Sequence, residues 1–107
     1  MISDQTIRRI ISFSDERDWR QFHTPVNLAK SIVIEGGELL ECFQWDGEGF
    51  DLQAVNEELA DVMNYCLQMC DVLGVDPDVI LNEKQDKNEE KYPVEKARGS
   101  SRKYDRL

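Results

Sequence analysis

A chain of 107 residues, 40% hydrophobic and 33% charged, is long enough for one domain with a core and too apolar to be disordered. Its formal net charge of −9 excludes a general nucleic-acid binder, which would present a basic surface. It does not exclude a nucleotide, whose charge a bound metal ion can balance. No run approaches the roughly 18 apolar residues that a membrane span requires, and the amphipathic pattern that begins within Met1 to Arg9 is not expected to hold a signal peptide.

In chain order, Ser3 or Asp4 caps a first helix that runs to about Arg17 or Asp18, with Ile7, Ile10, Ile11 and Phe13-Ser14 on its apolar side. The helical pattern breaks at Trp19-Arg20-Gln21-Phe22-His23. That cluster is either a connector whose rings plug one end of a bundle or a pocket wall for a flat ligand. His23 is the single histidine, and a lone histidine is more often a structural hydrogen-bonding group than a catalyst.

Thr24-Pro25 is a cap followed by proline in the first turn, opening a second helix to Phe43 or Gln44. Gly36 and Gly37 lie inside it, each about 1 kcal/mol worse than alanine there. Either another helix packs closely on them, or they leave room for metal, water and phosphate. Trp45 and Asp46-Gly47-Glu48-Gly49 form a loop. Asp51 then caps a third helix that stops at Gly74, and Asp76-Pro77 opens a fourth that reaches about Lys91 before Pro93. From Val94 onward the chain is basic, either a frayed tail or an arm over a phosphate or a neighbouring subunit. The division expected is a helical domain over 1–93 and a basic tail over 94–107. Cys42, Cys66 and Cys70 all fall in predicted helices without zinc spacing, which predicts buried thiols in a reducing cytoplasm.

Acids carry the chemistry. Glu35 and Glu38 share a face of the second helix, and Glu58 and Asp61 share one of the third. Glu35 interrupts the seam Leu28, Ile32, Leu39, Cys42, and Glu58 interrupts the seam Ala54, Asp61 or Val62, Tyr65, Met69. Buried acids need a partner or a metal, and oxygen ligands facing each other across two helices suit Mg2+. Four carboxylates suggest more than one ion. Glu57 lies among polar neighbours, Gln53 and Asn64, and is expected in solvent; Glu41 either holds a second ion, orients a water or is simply solvated. The rival to a metal site is a dimerising or antitoxin-like helical module whose acids pair with a basic partner.

The E-x-x-E of Glu35 and Glu38, followed about twenty residues later by the E-x-x-D of Glu58 and Asp61, resembles the signature of the MazG-like all-α nucleoside triphosphate pyrophosphohydrolases. Asp15 to Trp19, Phe22-His23-x-Pro25-x-Asn27-Leu28, Phe43-Gln44-Trp45, Arg98-Gly99-Ser100 and the Lys84, Asn88, Tyr92 spacing are similar to its dCTP pyrophosphatase branch. The resemblance implies an all-α four-helix bundle completed by oligomerisation into a dimer or tetramer. It also implies hydrolysis of a nucleoside triphosphate to the monophosphate and pyrophosphate. Glu35, Glu38, Glu58 and Asp61 would hold Mg2+, and Glu38 or Glu41 would deprotonate the attacking water. Trp19, Arg20, Gln21, Phe22, His23, Trp45 and Tyr65 would line the nucleotide pocket, with Lys84, Asn88 and Tyr92 approaching sugar and phosphates. One position departs from that branch: Ile10 stands where a polar nucleotide contact is expected, which leaves the preferred base open.

Overall fold

The computed structural model describes residues 2–107 and is helical, with no strand among the described residues. Five α-helices follow one another: α1 (Asp4–Glu16), α2 (Pro25–Glu41), α3 (Leu52–Leu73), α4 (Pro77–Lys91) and the single turn α5 (Val94–Ala97). Contacts divide them into two units, residues 2–75 and 76–107. The fourth helix therefore groups with the basic C-terminal stretch, whereas the sequence suggested a boundary at Pro93.

In the first unit α2 packs along α3, and α1 packs on α3. The helix starts are those the sequence announces. Ser3 Oγ accepts from Thr6 N, Thr24 from Asn27 N and Asp51 from Gln53 N, each satisfying a backbone donor left over at a first turn. Gly74 closes α3 in the left-handed conformation (φ 68°), where a Cβ would be strained.

The end of α1 is less orthodox. Asp18 takes the left-handed place (φ 55°), with Asp18 N donating to Asp15 O and Trp19 N to Ser14 O. The helix thus stops at Glu16, slightly earlier than its sequence pattern suggests. The reversal lays Trp19 edge-on against Phe13, ring centroids 5.5 Å apart. A short 3₁₀ turn, Arg20–Phe22, carries the chain to α2. Arg20 ties that turn to the C-terminal end of α3, with Nη1 2.6 Å from Asp71 Oδ2, and Asp15 lies 3.5 Å away.

Helix α2 ends at Glu41, before Phe43 and Gln44. The loop to α3 is tied by its own side chains. Asp46 Oδ1 accepts from Glu48 N and Gly49 N, and Phe43 meets Phe50 at 5.0 Å. A side chain on Gly49 would run into the Asp46 carboxylate.

The interior is thin. Among the described residues Leu28 is the one hydrophobic side chain that is fully buried. Helix α2 is apolar on both sides, and its second side, with Val26, Val33 and Leu40, is open to solvent, Val33 to 75% and Leu40 to 71%. Among the described residues nothing lies within 4 Å of a Cβ built on Gly36 or Gly37, so neither α1 nor α3 packs closely on them. The outer side of α3 likewise leaves Leu59, Met63 and Leu73 exposed. Cys66 shares that exposure, while Cys42 and Cys70 are half-buried and no disulfide joins the three. This corrects the expectation of three buried thiols: Cys66 lies on the outer side of α3, which α1 and α2 leave uncovered.

In the second unit Asp76 caps α4 through Asp78 N. The basic stretch beyond Pro93 is not frayed. After α5 it forms a 3₁₀ turn, Tyr104–Arg106, that brings Tyr104 edge-on to Tyr92 at 6.3 Å and under Lys91 Nζ at 4.8 Å. Aromatic and cation–π contacts of this kind are worth about 0.5–1.5 kcal/mol each, enough to hold a short segment in place.

Candidate metal and nucleotide site

Glu35 and Glu38 are one turn apart on α2, and Glu58 answers them from α3. One carboxylate oxygen of each lies within 4.8 Å of the others. Glu35 and Glu58 are half-buried, as their positions in the two seams suggest, and Glu38 is exposed. Asp61, one turn beyond Glu58, is exposed and outside this closest group, yet its charge is felt at both Glu35 and Glu58.

Electrostatics show what the clustering costs. The facing Glu38 carboxyl, the loss of water, and the negative charges of Glu38, Asp61 and Glu58 together push Glu35 up to about 7. Burial first, and Glu38 second, raise Glu58 as well. Glu35 Oε2 and Glu58 Oε2 are buried without a hydrogen-bond partner. No ion pair among the described residues reaches Glu35, Glu38, Glu58 or Asp61. Buried acceptors are nearly always satisfied, so two orphaned carboxylate oxygens pointing into one cluster mark a place for a cation. The donors are all hard oxygens, which fits magnesium rather than zinc or a softer metal.

Beside the acids lies a cavity of about 260 Å³. Phe13, Trp19 and Tyr65 give it aromatic walls, with His23 at the turn before α2. Asp61, Asn64 and Gln68 line it from α3, so Asp61 borders the cavity as well as the acid cluster. Burial, then the charges of Glu35, Asp61 and Glu38, raises the Tyr65 phenol, which keeps its proton and can donate. Pockets for complete drug-sized ligands run to about 300–1,000 Å³, so this one is of a size for a single ring system.

Three of the residues expected on this wall are therefore on it: Trp19, His23 and Tyr65. Others are elsewhere. Arg20 is engaged with Asp71, which raises its pKa, and Gln21 Nε2 donates back to Asp18 O. Phe22 is exposed, and its carbonyl accepts from Asn27 Nδ2. Trp45 is 90% exposed on the loop and does not line the cavity. Glu41 is the exposed last residue of α2. Lys84 and Asn88 lie on α4 and Tyr92 caps it, all within the second unit.

The residues that sequence reasoning passed over are Ser14, Asn64 and Gln68. Ser14 Oγ donates to Gln68 Oε1 at 3.0 Å, and Gln68 Nε2 donates to Asn64 Oδ1. Their signal was present: Ser14 continues the Ile7, Ile10, Ile11 stripe, and Gln68 sits one turn beyond Tyr65 in the α3 seam.

Comparison with known proteins matches this arrangement to a family. The sequence model of the MazG-like family matches residues 30–107, which include all four acids. The chain belongs to the MazG-like family. It is 43% identical over 113 residues to dCTP pyrophosphatase 1 of Homo sapiens, covering 96% of this chain and 66% of that protein. The Rattus norvegicus dCTP pyrophosphatase 1 is 39% identical over 110 residues, covering 94% of this chain and 65% of its own length. The chain thus spans just under two thirds of these relatives. A pyrophosphatase from Archaeoglobus fulgidus superposes with a TM-score of 0.79 at 43% identity, over 84% of this chain and 91% of that one. As an all-helical fold, the MazG-like chain is what its sequence pattern announced. No helix among the described residues is long and apolar enough to cross a membrane.

Proposed function

We propose that this MazG-like chain hydrolyses a nucleoside triphosphate, dCTP or a modified pyrimidine deoxynucleotide, to the monophosphate and pyrophosphate. The observation that carries the reading is the pair of buried, unpartnered oxygens of Glu35 and Glu58 beside a ring-sized aromatic cavity. A structural acid cluster would have found basic partners, and this one has none among the described residues.

Glu35, Glu38, Glu58 and Asp61 would hold Mg2+, which when bound neutralises the triphosphate and makes water a better nucleophile. The base would enter between Phe13, Trp19 and Tyr65, excluding water from one end of the nucleotide. Asp61, shared between cavity and cluster, keeps the phosphates next to the ring pocket. Glu38 is exposed among the acids, so it is suited to take the proton of the attacking water; Glu41 is a turn further along. The water oxygen forms a bond to the α-phosphorus, the α–β bridging bond breaks, and pyrophosphate leaves with the electron pair. Lys84, Asn88 and Tyr92 would approach the sugar and phosphates, and Trp45 would close on the base.

The open apolar sides of α2 and α3 call for a homodimer or tetramer. A second copy laid on Gly36 and Gly37 would meet no obstructing side chain. The acidic charge excludes a nucleic-acid partner, and a nucleotide-pool enzyme in the cytoplasm is the setting that fits.

The test is pyrophosphate release over a panel of nucleotides with and without Mg2+. We expect magnesium-dependent turnover that is best for a pyrimidine deoxynucleotide. Purine triphosphates with higher kcat/KM than every pyrimidine tested would contradict the pocket assignment. A monomer by light scattering at micromolar concentration, fully active, would contradict the assembly.

A further inference from the structure

We propose that Asn64 is the residue that reads the edge of the base, and that Gln68 and Ser14 fix which edge it accepts. This rests on the nucleotide reading above and concerns side chains that the acid cluster does not use.

Gln68 is 7% exposed and Ser14 is 3% exposed, so both are buried. A buried amide must spend its donor and acceptor on protein, and Gln68 does so in one direction. Its Oε1 takes the Ser14 hydroxyl proton at 3.0 Å, which leaves its Nε2 to donate to Asn64 Oδ1. The order follows from the serine: once its hydroxyl donates, the carboxamide oxygen must face it, and the amine must face Asn64. Asn64 is then fixed by the same logic one step on. Its oxygen is occupied, and its Nδ2 has no partner among the described residues. Asn64 is half-buried and lines the 260 Å³ cavity with Trp19 and Tyr65, so the group it has left to offer there is a donor.

An amino donor discriminates among pyrimidines. Placed opposite N3, such a donor meets an acceptor in cytosine but a hydrogen in uracil and thymine, whose acceptors O2 and O4 lie to either side. With its donor opposite N3, the relay selects cytosine. Because it is built from neutral side chains, it does so without altering the charge of the acid cluster. A site made to hydrogen-bond a ligand rejects analogues that leave its buried polar group unpaired.

The experiment compares steady-state kcat/KM on dCTP, dUTP and the base-free analogue 1,2-dideoxyribose 5′-triphosphate, for the full chain with Mg2+. Wild type should prefer dCTP to dUTP by about tenfold or more, the worth of one hydrogen bond made or opposed. Asn64→Leu should lower kcat/KM on dCTP by about tenfold, chiefly through KM, and move the base-free substrate by no more than about twofold. Gln68→Leu, which keeps Asn64 but frees it to turn, should collapse the dCTP-to-dUTP ratio toward one, an outcome that a merely structural glutamine would not produce. An equal loss on the base-free substrate, or an unchanged ratio in both variants, overturns the assignment while leaving the nucleotide reading standing. A wild-type protein that turns over no nucleoside triphosphate overturns both.

Discussion

Two polar groups are built into the helical interior of the first unit, and they are finished differently. Ser14, Gln68 and Asn64 form a chain in which each buried donor meets an acceptor. Glu35, Glu38 and Glu58 converge as closely, but two of their oxygens are left with nothing. The first group is satisfied within the protein except for the Asn64 amine at the cavity, and it stabilises the fold as it stands. The second opposes the fold until something positive arrives. Polarity at a helix interface is therefore not itself a sign of function; an unfilled valence for hydrogen bonding or charge is.

The sharpest way to break this contrast is to remove one charge from the acid cluster. Glu58→Gln should lower kcat/KM about 10²–10³-fold, the usual cost of deleting one group that stabilises developing charge. The same change should leave the metal-free protein melting as high as wild type or higher, because a repulsion has gone with it. A clearly lower melting temperature would mean that Glu58 has a basic partner, and the metal assignment would fail. Next in size is the metal itself. At a hundredfold excess over its dissociation constant, Mg2+ should stabilise the wild type by about 2.7 kcal/mol, seen as a rise of order 10 °C in a thermal melt. In Glu58→Gln most of that rise should vanish.

The hydrogen-bonded group should respond in the opposite sense. Gln68→Leu strands the Ser14 hydroxyl and should destabilise the apo and magnesium forms alike, by about 1–3 kcal/mol in a denaturant titration. A variant as stable as wild type would show that the relay is not buried in solution. The smallest expected effect is a pH dependence. Glu35 ionises at about 7 in the folded protein against an ordinary value of 4.5. Between those values the folded state holds the proton that the unfolded state has released. The metal-free protein should therefore lose stability as pH rises from about 4.5 to 7 and level off above. Melts from pH 4 to 8 in EDTA should show this slope, and Glu35→Gln should flatten it.

Much of this was legible in the chain. Thr24, Asp51, Asp76 and Gly74 announce helix ends because capping chemistry is local. The acids at 35 and 58 could be placed on inner faces because they interrupt apolar spacing. The end of α1 was harder, since an aspartate holds the left-handed position that glycine usually marks. The relay was missed for a different reason. Asn64 reads as a solvent-facing residue, and it helped to assign Glu57 to the surface. Glu57 is exposed as expected, but Asn64 is half-buried. Its partner Ser14 lies 54 positions from Gln68, and no local pattern reveals a pairing at that distance. Trp45 is a different case: the family resemblance implies a place at the pocket, and within this chain the loop leaves it 90% exposed.

The loop between α2 and α3 also bears on how the protein comes to be folded. Phe43 against Phe50, with Asp46 holding the turn, closes a hairpin whose two arms carry every acid of the cluster. Glu35 and Glu58 are thereby brought together within one hairpin of the first unit. During synthesis the arms are complete once Leu73 has been added, before most of the second unit exists. The acid cluster can thus be assembled by the nascent chain without any residue of the second unit.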